Sequence, residues 1–212
     1  MSNKSKLYIK IPTYIIRNED FFIGNDEFLL YARLSFLYFR NYKNPEIKVD
    51  HKKLMINISI TDTRTLKKRL NVLYDLKLIE NKIDKLPRRG EVTILINKKI
   101  IDDSKNFTMM NAGIFNMMES LDEDCIRLLF YYKSHITKKD THKQYCFVGY
   151  ETLRTRLKIG NETIRDANDI LKKLKLIKIE KHELKHDFEY GEDDELIFNK
   201  FNNHYIVNRE LF

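Results

Sequence analysis

The spacing of apolar and polar positions changes repeatedly along the chain. Some segments have apolar residues three or four positions apart, which is typical of a helix with one buried face. Shorter segments between them alternate apolar and polar residues, as half-buried strands do. The pattern therefore predicts a mixed α+β fold. The predicted helices cover roughly residues 25–42, 50–57, 62–77, 121–136, 149–157 and 161–175.

The two halves of the chain repeat each other at a spacing of about 99 residues. Val49, for example, aligns with Val148, and the apolar positions around both residues match. Each half has the order strand, helix, short strand, short helix, turn, longer helix and hairpin, which is the order of a winged helix-turn-helix. We therefore predict two tandem winged helix-turn-helix domains. Their predicted bounds are 1–97 and 107–212, with a linker at 98–106.

Polar residues mark where several of these helices begin. Asp50 and Asp62 precede the short and the long helix of the first half, and aspartate is a favoured N-cap. In the second half, Ser120 and Glu123 have the spacing of a capping box. We expect all four side chains to bind free amides of a first helical turn.

The long helix of the first half has an apolar stripe and a basic opposite face. Its predicted stripe is Leu66, Leu70, Leu73 and Leu76. Arginine can pair with guanine, and asparagine with adenine, through two hydrogen bonds, so Arg64 and Asn71 are the predicted base-reading residues. A solvated charged face is the alternative interpretation. The predicted phosphate anchors are Thr63, Thr65, Lys67 and Lys68.

A hairpin with a basic tip is predicted directly after this helix. The segments "IENKID" (79–84) and "VTILIN" (92–97) have strand character, and "LPRRGEV" supplies a turn between them. The turn carries Arg88 and Arg89 at the place where a wing meets the minor groove or the DNA backbone. Helix and hairpin together favour DNA binding by the first half.

Net charge is distributed unevenly between the halves. The whole chain carries a formal charge of +8, which favours a polyanionic partner. Residues 1–105 hold 22 Lys and Arg against 13 Asp and Glu, a net charge of +9. Residues 106–212 hold 17 against 18, a net charge of −1. The sequence therefore predicts double-stranded DNA as a partner, bound mainly by the first half.

The second half differs from the first at both candidate DNA-contact positions. Its long helix mixes acidic and basic residues, and its hairpin turns through the acidic segment "EYGEDDE" (189–195), which phosphates would repel. Either the helix contacts DNA with the wing held away, or this half contacts protein. The candidate DNA contacts on this helix are Arg165, Lys172 and Lys173.

Two segments carry a resemblance to known proteins. "KIPTYIIRNEDFFIGNDEFLLYARLSFLYF" and "TLKKRLNVLYDLKLIE" resemble the tandem winged-helix region of plasmid and phage replication initiators. Each half also resembles the N-terminal winged helix of DnaD-type primosomal proteins. The resemblance covers nearly the whole chain and implies origin binding, recruitment of host replication proteins and no enzymatic chemistry. Two alternative functions remain open, a transcriptional regulator and a protein-binding scaffold. The chain could also form a homodimer.

Residues typical of catalytic and metal sites are sparse. Cys125 and Cys146 lie in apolar runs, where small buried side chains are expected. His182 and His186 lie in a strand-like segment without further ligand residues, and no phosphate-binding glycine loop occurs. We therefore expect a non-enzyme without cofactor or metal. The chain has neither a secretory leader pattern nor an apolar run of about 18 residues, so we expect a cytoplasmic protein that does not enter membranes.

Overall fold

The computed structural model describes residues 7–136, 144–183 and 201–212, and it shows a mixed helix-and-sheet fold. The predicted α+β class is therefore confirmed. In the first half the elements are β1 (Tyr8–Pro12), α1 (Thr13–Arg17), α2 (Asn25–Arg40), β2 (Glu46–Asp50), α3 (His51–Asn57), α4 (Thr63–Asp75), β3 (Glu91–Leu95) and α5 (Lys98–Asp102). In the second half they are β4 (Phe107–Asn111), α6 (Glu123–Ser134), β5 (Cys146–Phe147), α7 (Tyr150–Leu157), α8 (Asn161–Lys173), β6 (Ile177–Glu183) and β7 (Phe201–Val207). Short 3-10 turns follow β4 at Ala112–Met117 and β7 at Arg209–Leu211.

Helices α2 and α6 form the centre of the molecule. Both are buried on nearly all sides, and they pack against each other. Phe28 of α2 and Phe130 of α6 meet edge to face, with ring centroids 5.4 Å apart. A helix that is apolar all round belongs in a core rather than at a surface. The buried side chains of both halves consequently form one continuous core.

The first strands of the two halves pair with each other. Strands β1 and β4 are antiparallel, with Lys10 opposite Met109 at the centre and Tyr8 opposite Asn111 at one end. The predicted repeat aligns Lys10 with Met109, which lies 99 positions later. The register is therefore symmetric about Lys10 and Met109, which the predicted repeat aligns with each other.

Hydrogen bonds beyond the two strand ends follow the same symmetry. The backbone N–H of Thr13 donates to the carbonyl of Asn106 at 3.0 Å, and that of Ala112 donates to the carbonyl of Leu7 at 2.8 Å. Thr13 lies 99 positions before Ala112, and Asn106 lies 99 positions after Leu7. The predicted repeat therefore converts the first bond into the second. The ladder is thus related to itself by an approximate two-fold axis.

The two central helices also bring equivalent positions together. The Asn25 side chain donates to a carboxylate oxygen of Asp124 at 2.6 Å. The Arg127 guanidinium lies over the Phe28 ring, 4.0 Å from its centroid. Both pairs are separated by 99 residues. Both contacts therefore join positions that the predicted repeat aligns, as the β1–β4 pairing does.

Arg127 is a buried cation where the two halves meet. Its side chain is fully buried, and it donates to the carbonyl of Ile15 at 3.2 Å and to the Asn18 side chain at 2.8 Å. Burial lowers the pKa of this guanidinium to about 9. Removing either acceptor would leave a buried charge with fewer partners, which costs free energy.

The predicted hairpin of the first half is wrong in its first strand. Strand β3 pairs with β2, whereas residues 80–90 form an irregular loop after one isolated bridge. The Asn81 side chain donates to the carbonyl of Thr93 at 2.9 Å and accepts from the N–H of Leu95 at 2.7 Å. Because the side-chain amide makes hydrogen bonds that a neighbouring strand would otherwise make, the chain can leave the sheet here. In the second half, β6 and β7 do pair, within a sheet of order β5-β7-β6.

The predicted N-caps are correct for α3 and α4 but not for α6. Asp50 and Asp62 are the N-caps of α3 and α4, as predicted. The predicted capping box at α6 is wrong, because the helix starts later and Asp122 is its N-cap, accepting from the N–H of Cys125 at 2.7 Å. The segment predicted as a linker, 98–106, contains the short helix α5.

Candidate nucleic-acid interface

Helix α4 turns its apolar face inward and its cations outward. Burying each leucine side chain contributes about 1.5–3 kcal/mol, so packing fixes which face of the helix stays outside. Arg64 and Lys68 are exposed, and Lys67 is half-buried. The residues that anchor the inner face are Leu66, Leu70 and Leu73, all fully buried. Leu76, the fourth residue of the predicted stripe, is half-buried just beyond the helix end.

The start of α4 faces a cleft of about 350 Å³. Two other segments complete it, the first turn of α3 and the loop 80–90. Four of the residues predicted to bind DNA come together here: Thr63, Arg64, Lys67 and Arg88. The residues lining this basic cleft are His51, Lys52, Thr63, Arg64, Lys67, Leu86, Pro87 and Arg88.

The basic cleft concentrates positive charge from four side chains. Lys52, Arg64, Lys67 and Arg88 come from three separate segments of the chain. Within the described ranges, none of the four forms an ion pair. Like charges held close together raise the local potential, and a cleft with low-dielectric walls focuses it. The cleft is therefore suited to an anionic ligand.

The other predicted residues of this half lie outside the basic cleft. Lys68 and Arg89 are exposed and do not line it. The Thr65 hydroxyl donates to the Asp62 carboxylate at 2.6 Å, so its donor is already used in the helix cap. Asn71 is half-buried, and its buried Oδ1 has no hydrogen-bond partner among the described residues.

Loop 80–90 is ordered by contacts near both of its ends. Asn81 binds β3 through its side chain, and the Ile83 side chain is buried in the core. Gly90, immediately before β3, has φ +92°, a conformation that residues with a Cβ rarely adopt. Between these points the loop places Arg88 beside α4.

Sequence reasoning missed His51 and Lys52, both on the first turn of α3. The predicted contacts of this half were drawn only from the long helix and the hairpin. In a helix-turn-helix the first helix of the motif crosses the DNA backbone, and that general rule was the available signal. Asp50 caps this helix through the N–H groups of Lys52 and Lys53.

In the second half, α8 presents a face of mixed charge. Arg165 and Lys173 are exposed. Lys172 is also on this face but forms an ion pair with Asp169 at 2.6 Å. The cleft beside the start of α8 is lined by Glu151, Arg154 and Lys158 among others, and none of the three predicted contacts lines it. The structure therefore does not gather the predicted cations here as it does in the first half.

Helix α7 is held against the first half by polar contacts. The Asn18 side chain donates to the carbonyl of Arg156 at 2.8 Å, and the Arg156 guanidinium donates back to the carbonyl of Asn18 at 3.4 Å. The Lys158 ammonium lies 4.1 Å from the centroid of the Phe22 ring. These contacts fix the position of α7 relative to the segment between α1 and α2.

The cysteines do not resemble reactive thiols. Cys125 and Cys146 are buried, and burial raises the pKa of each thiol to about 12. At neutral pH both are therefore protonated and weakly nucleophilic.

Within the part of the chain that the structure describes, His, Cys, Asp and Glu form no group of three or more able to bind a metal ion. His186 and the acidic hairpin segment 189–195 lie outside the described residues. In the same described ranges, no helix has the length and apolar character needed to span a bilayer.

Comparison with protein-family models and with curated proteins finds no match for this chain.

Proposed function

We propose that the chain is a sequence-specific double-stranded DNA-binding protein. One observation carries the proposal: the starts of α3 and α4 and the loop 80–90 place four cations in one cleft, without ion pairs among the described residues. Phosphate contacts supply most of the affinity of such proteins, and base contacts supply their specificity. Arg64 is exposed at the first turn of α4, where a recognition helix meets base edges.

We further propose that the chain consists of two tandem winged-helix units related by the internal repeat. The symmetric β1–β4 register and the contacts between positions 99 residues apart support this arrangement. Helix α4 packs on α2, and α8 packs on α6 in the corresponding place. In this proposed arrangement α4 and α8 are equivalent helices, and both would act as recognition helices on one duplex.

Within this class, a plasmid or phage replication initiator is the specific function that we propose, because of the resemblance of both segments to initiators. A transcriptional regulator would use the same interface. Selecting bound duplexes from a random pool tests DNA binding directly, and Arg64→Ala with Lys67→Ala provides the matched control. A pool that is not enriched in any sequence would overturn the proposal.

The selected site then distinguishes the initiator from the regulator. It is placed in a plasmid that lacks its own initiator, and separately upstream of a reporter gene. Plasmid maintenance that depends on this protein is expected for an initiator. Repression of the reporter without plasmid maintenance would instead identify a regulator.

The second half has a separate candidate role in protein contact. Its net charge of −1 and the Asp169–Lys172 ion pair on α8 weaken its attraction for phosphates. Phe147, on edge strand β5, is 56% exposed and offers an apolar contact to a partner. A scaffold that binds host replication proteins through this half is the alternative to a second DNA contact.

A further inference from the structure

We propose that the basic cleft is a pocket for one phosphodiester group of the DNA backbone, which α4 and Arg88 bind together. The inference rests on the proposed function and deepens it. A wing arginine is ordinarily expected to reach a different groove from the recognition helix. Here the irregular loop 80–90 brings Arg88 into the same cleft as Arg64 and Lys67.

The electrostatics of the cleft favour one concentrated anion. Its four cations come from α3, α4 and loop 80–90. The nearest helix caps are the acidic side chains Asp50 and Asp62, and two carboxylates do not neutralise four cations fully. The Asp50 carboxylate accepts from the N–H of Lys52 at 2.8 Å, and the Asp62 carboxylate accepts from the N–H of Thr65 at 2.9 Å. A phosphate in the cleft would relieve the repulsion among the cations and provide acceptors for their donors.

The wall of the cleft contains a polar side chain that lacks a partner. His51 is 3% exposed, and its buried Nδ1 has no hydrogen-bond partner among the described residues. His51 also lines the cleft, so its imidazole reports on a ligand bound there. An anion entering the cleft lies next to this imidazole.

The shape of the cleft favours a phosphodiester over a free anion. A volume of about 350 Å³ exceeds what an isolated phosphate needs and is in the range of small-molecule sites. Leu86 and Pro87 supply apolar lining beside the charged groups. Such a surface suits the sugar carbons that flank each phosphate of a DNA strand.

The proposal assigns different roles to two adjacent arginines. Arg88 lines the cleft with α4, whereas Arg89 is exposed and does not line it. Arg88→Gln and Arg89→Gln therefore remove the same charge one residue apart. Both positions are exposed, so neither substitution is expected to unfold the chain.

The test is a scan of the selected duplex in which one phosphate at a time is replaced by an uncharged methylphosphonate. The unsubstituted protein is expected to lose roughly tenfold or more in affinity at one phosphate facing the start of α4. That loss should nearly vanish in Arg88→Gln and persist in Arg89→Gln. If the two variants respond alike at every phosphate, or if the unsubstituted protein shows no sensitive phosphate, the inference is overturned.

A second measurement separates the backbone phosphodiester from a free phosphate ligand. The isolated protein is titrated with pyrophosphate and with ATP, and the imidazole signals of His51 are followed by NMR. Weak binding in the millimolar range, with duplex binding far tighter, supports the backbone assignment. Tight ATP binding without duplex binding would overturn both that assignment and the proposed function. Duplex binding with no Arg88-dependent phosphate would overturn only the assignment.

Discussion

At the start of α6, the Glu123 carboxyl is half-buried and faces a second acid, Asp26 of α2. Burial, together with hydrogen bonding to Asp26, raises the pKa of Glu123 to about 6, whereas Arg69 acts in the opposite direction. Arg69 forms an ion pair with Asp26 at 2.9 Å. This cluster joins α2, α4 and α6, so its protonation state bears on how the two halves pack.

Glu123 should therefore stabilise the fold more strongly on mild acidification. A carboxyl whose pKa is raised by folding binds its proton more tightly in the native state. Its contribution is fully present below about pH 4.5 and is lost as pH rises through about 6. His135 acts in the opposite direction, because burial lowers its pKa to about 4. Between about pH 7 and about pH 5, the melting temperature of Glu123→Gln is therefore expected to fall relative to that of the unsubstituted protein as pH falls.

Glu119→Gln is the matched control, because Glu119 is exposed in the segment just before α6. Asp124, whose pKa is also raised by burial, remains in both variants. The comparison thus isolates Glu123. Equal pH dependence in the two variants would show that Glu123 does not couple protonation to folding.

Arg64 and Asn71 were predicted as equal partners in base reading, but their surroundings differ. Arg64 is exposed in the basic cleft, whereas Asn71 is half-buried with its Oδ1 enclosed. Arg64→Ala is expected to reduce discrimination between the selected site and a scrambled duplex by about 1–3 kcal/mol. Asn71→Ala is expected to change discrimination less. Competition binding measures both, and an unchanged ratio for Arg64→Ala would remove it from the base-reading set.

At the scale of elements, the Asn81 side chain attaches loop 80–90 to β3, beside the backbone N–H of Glu80, which donates to the carbonyl of Leu95 at 2.7 Å. Asn81→Ala would leave the carbonyl of Thr93 and the N–H of Leu95 without their present partner. The expected cost in the free energy of unfolding is about 1–3 kcal/mol if neither group is rehydrated. DNA affinity should fall as well, because Arg88 is carried by this loop.

Denaturant unfolding and duplex titration measure these two effects. Asn116→Ala, at an exposed position in the 3-10 turn after β4, is the control for a change from asparagine to alanine. If Asn81→Ala matches this control in both stability and affinity, the loop is held by other contacts.

The helices were predictable from the sequence because each depends on a local period of apolar residues. All six predicted helices match an observed helix within two residues at either end. The loop was not predictable, because "IENKID" has strand character and only the tertiary position of Asn81 lets its side chain bind β3. Among the candidate contacts, the sequence could place Arg64 on an outer face but could not show that Arg88, 24 positions later, lines the same cleft.

At the scale of the whole molecule, the proposed internal repeat would relate α4 and α8 by an approximate two-fold axis. Two recognition helices related in this way read half-sites of opposite orientation. We therefore expect the selected DNA site to be an imperfect inverted repeat, with the stronger half-site bound by the basic first half. Nuclease footprinting with the Arg165→Ala, Lys172→Ala and Lys173→Ala triple variant should show lost protection on one side only.

Lys181→Ala serves as the control for this footprint, because Lys181 is exposed in the second half but lies on β6 rather than on α8. Its footprint should equal that of the unsubstituted protein. If the triple variant also protects the full site, α8 does not contact DNA, and the second half is better described as a protein-binding module.

The β1–β4 pairing means that the peptide bonds between the halves are not what holds them together. Trypsin cleavage after the exposed Lys105 would put β1 and β4 on separate fragments. The hydrogen bonds between these two strands and the α2–α6 packing would remain. We expect the nicked chain to elute as one particle in size-exclusion chromatography and to separate only in denaturant. The halves would then behave as two complementing fragments, much as the subunits of a dimer do.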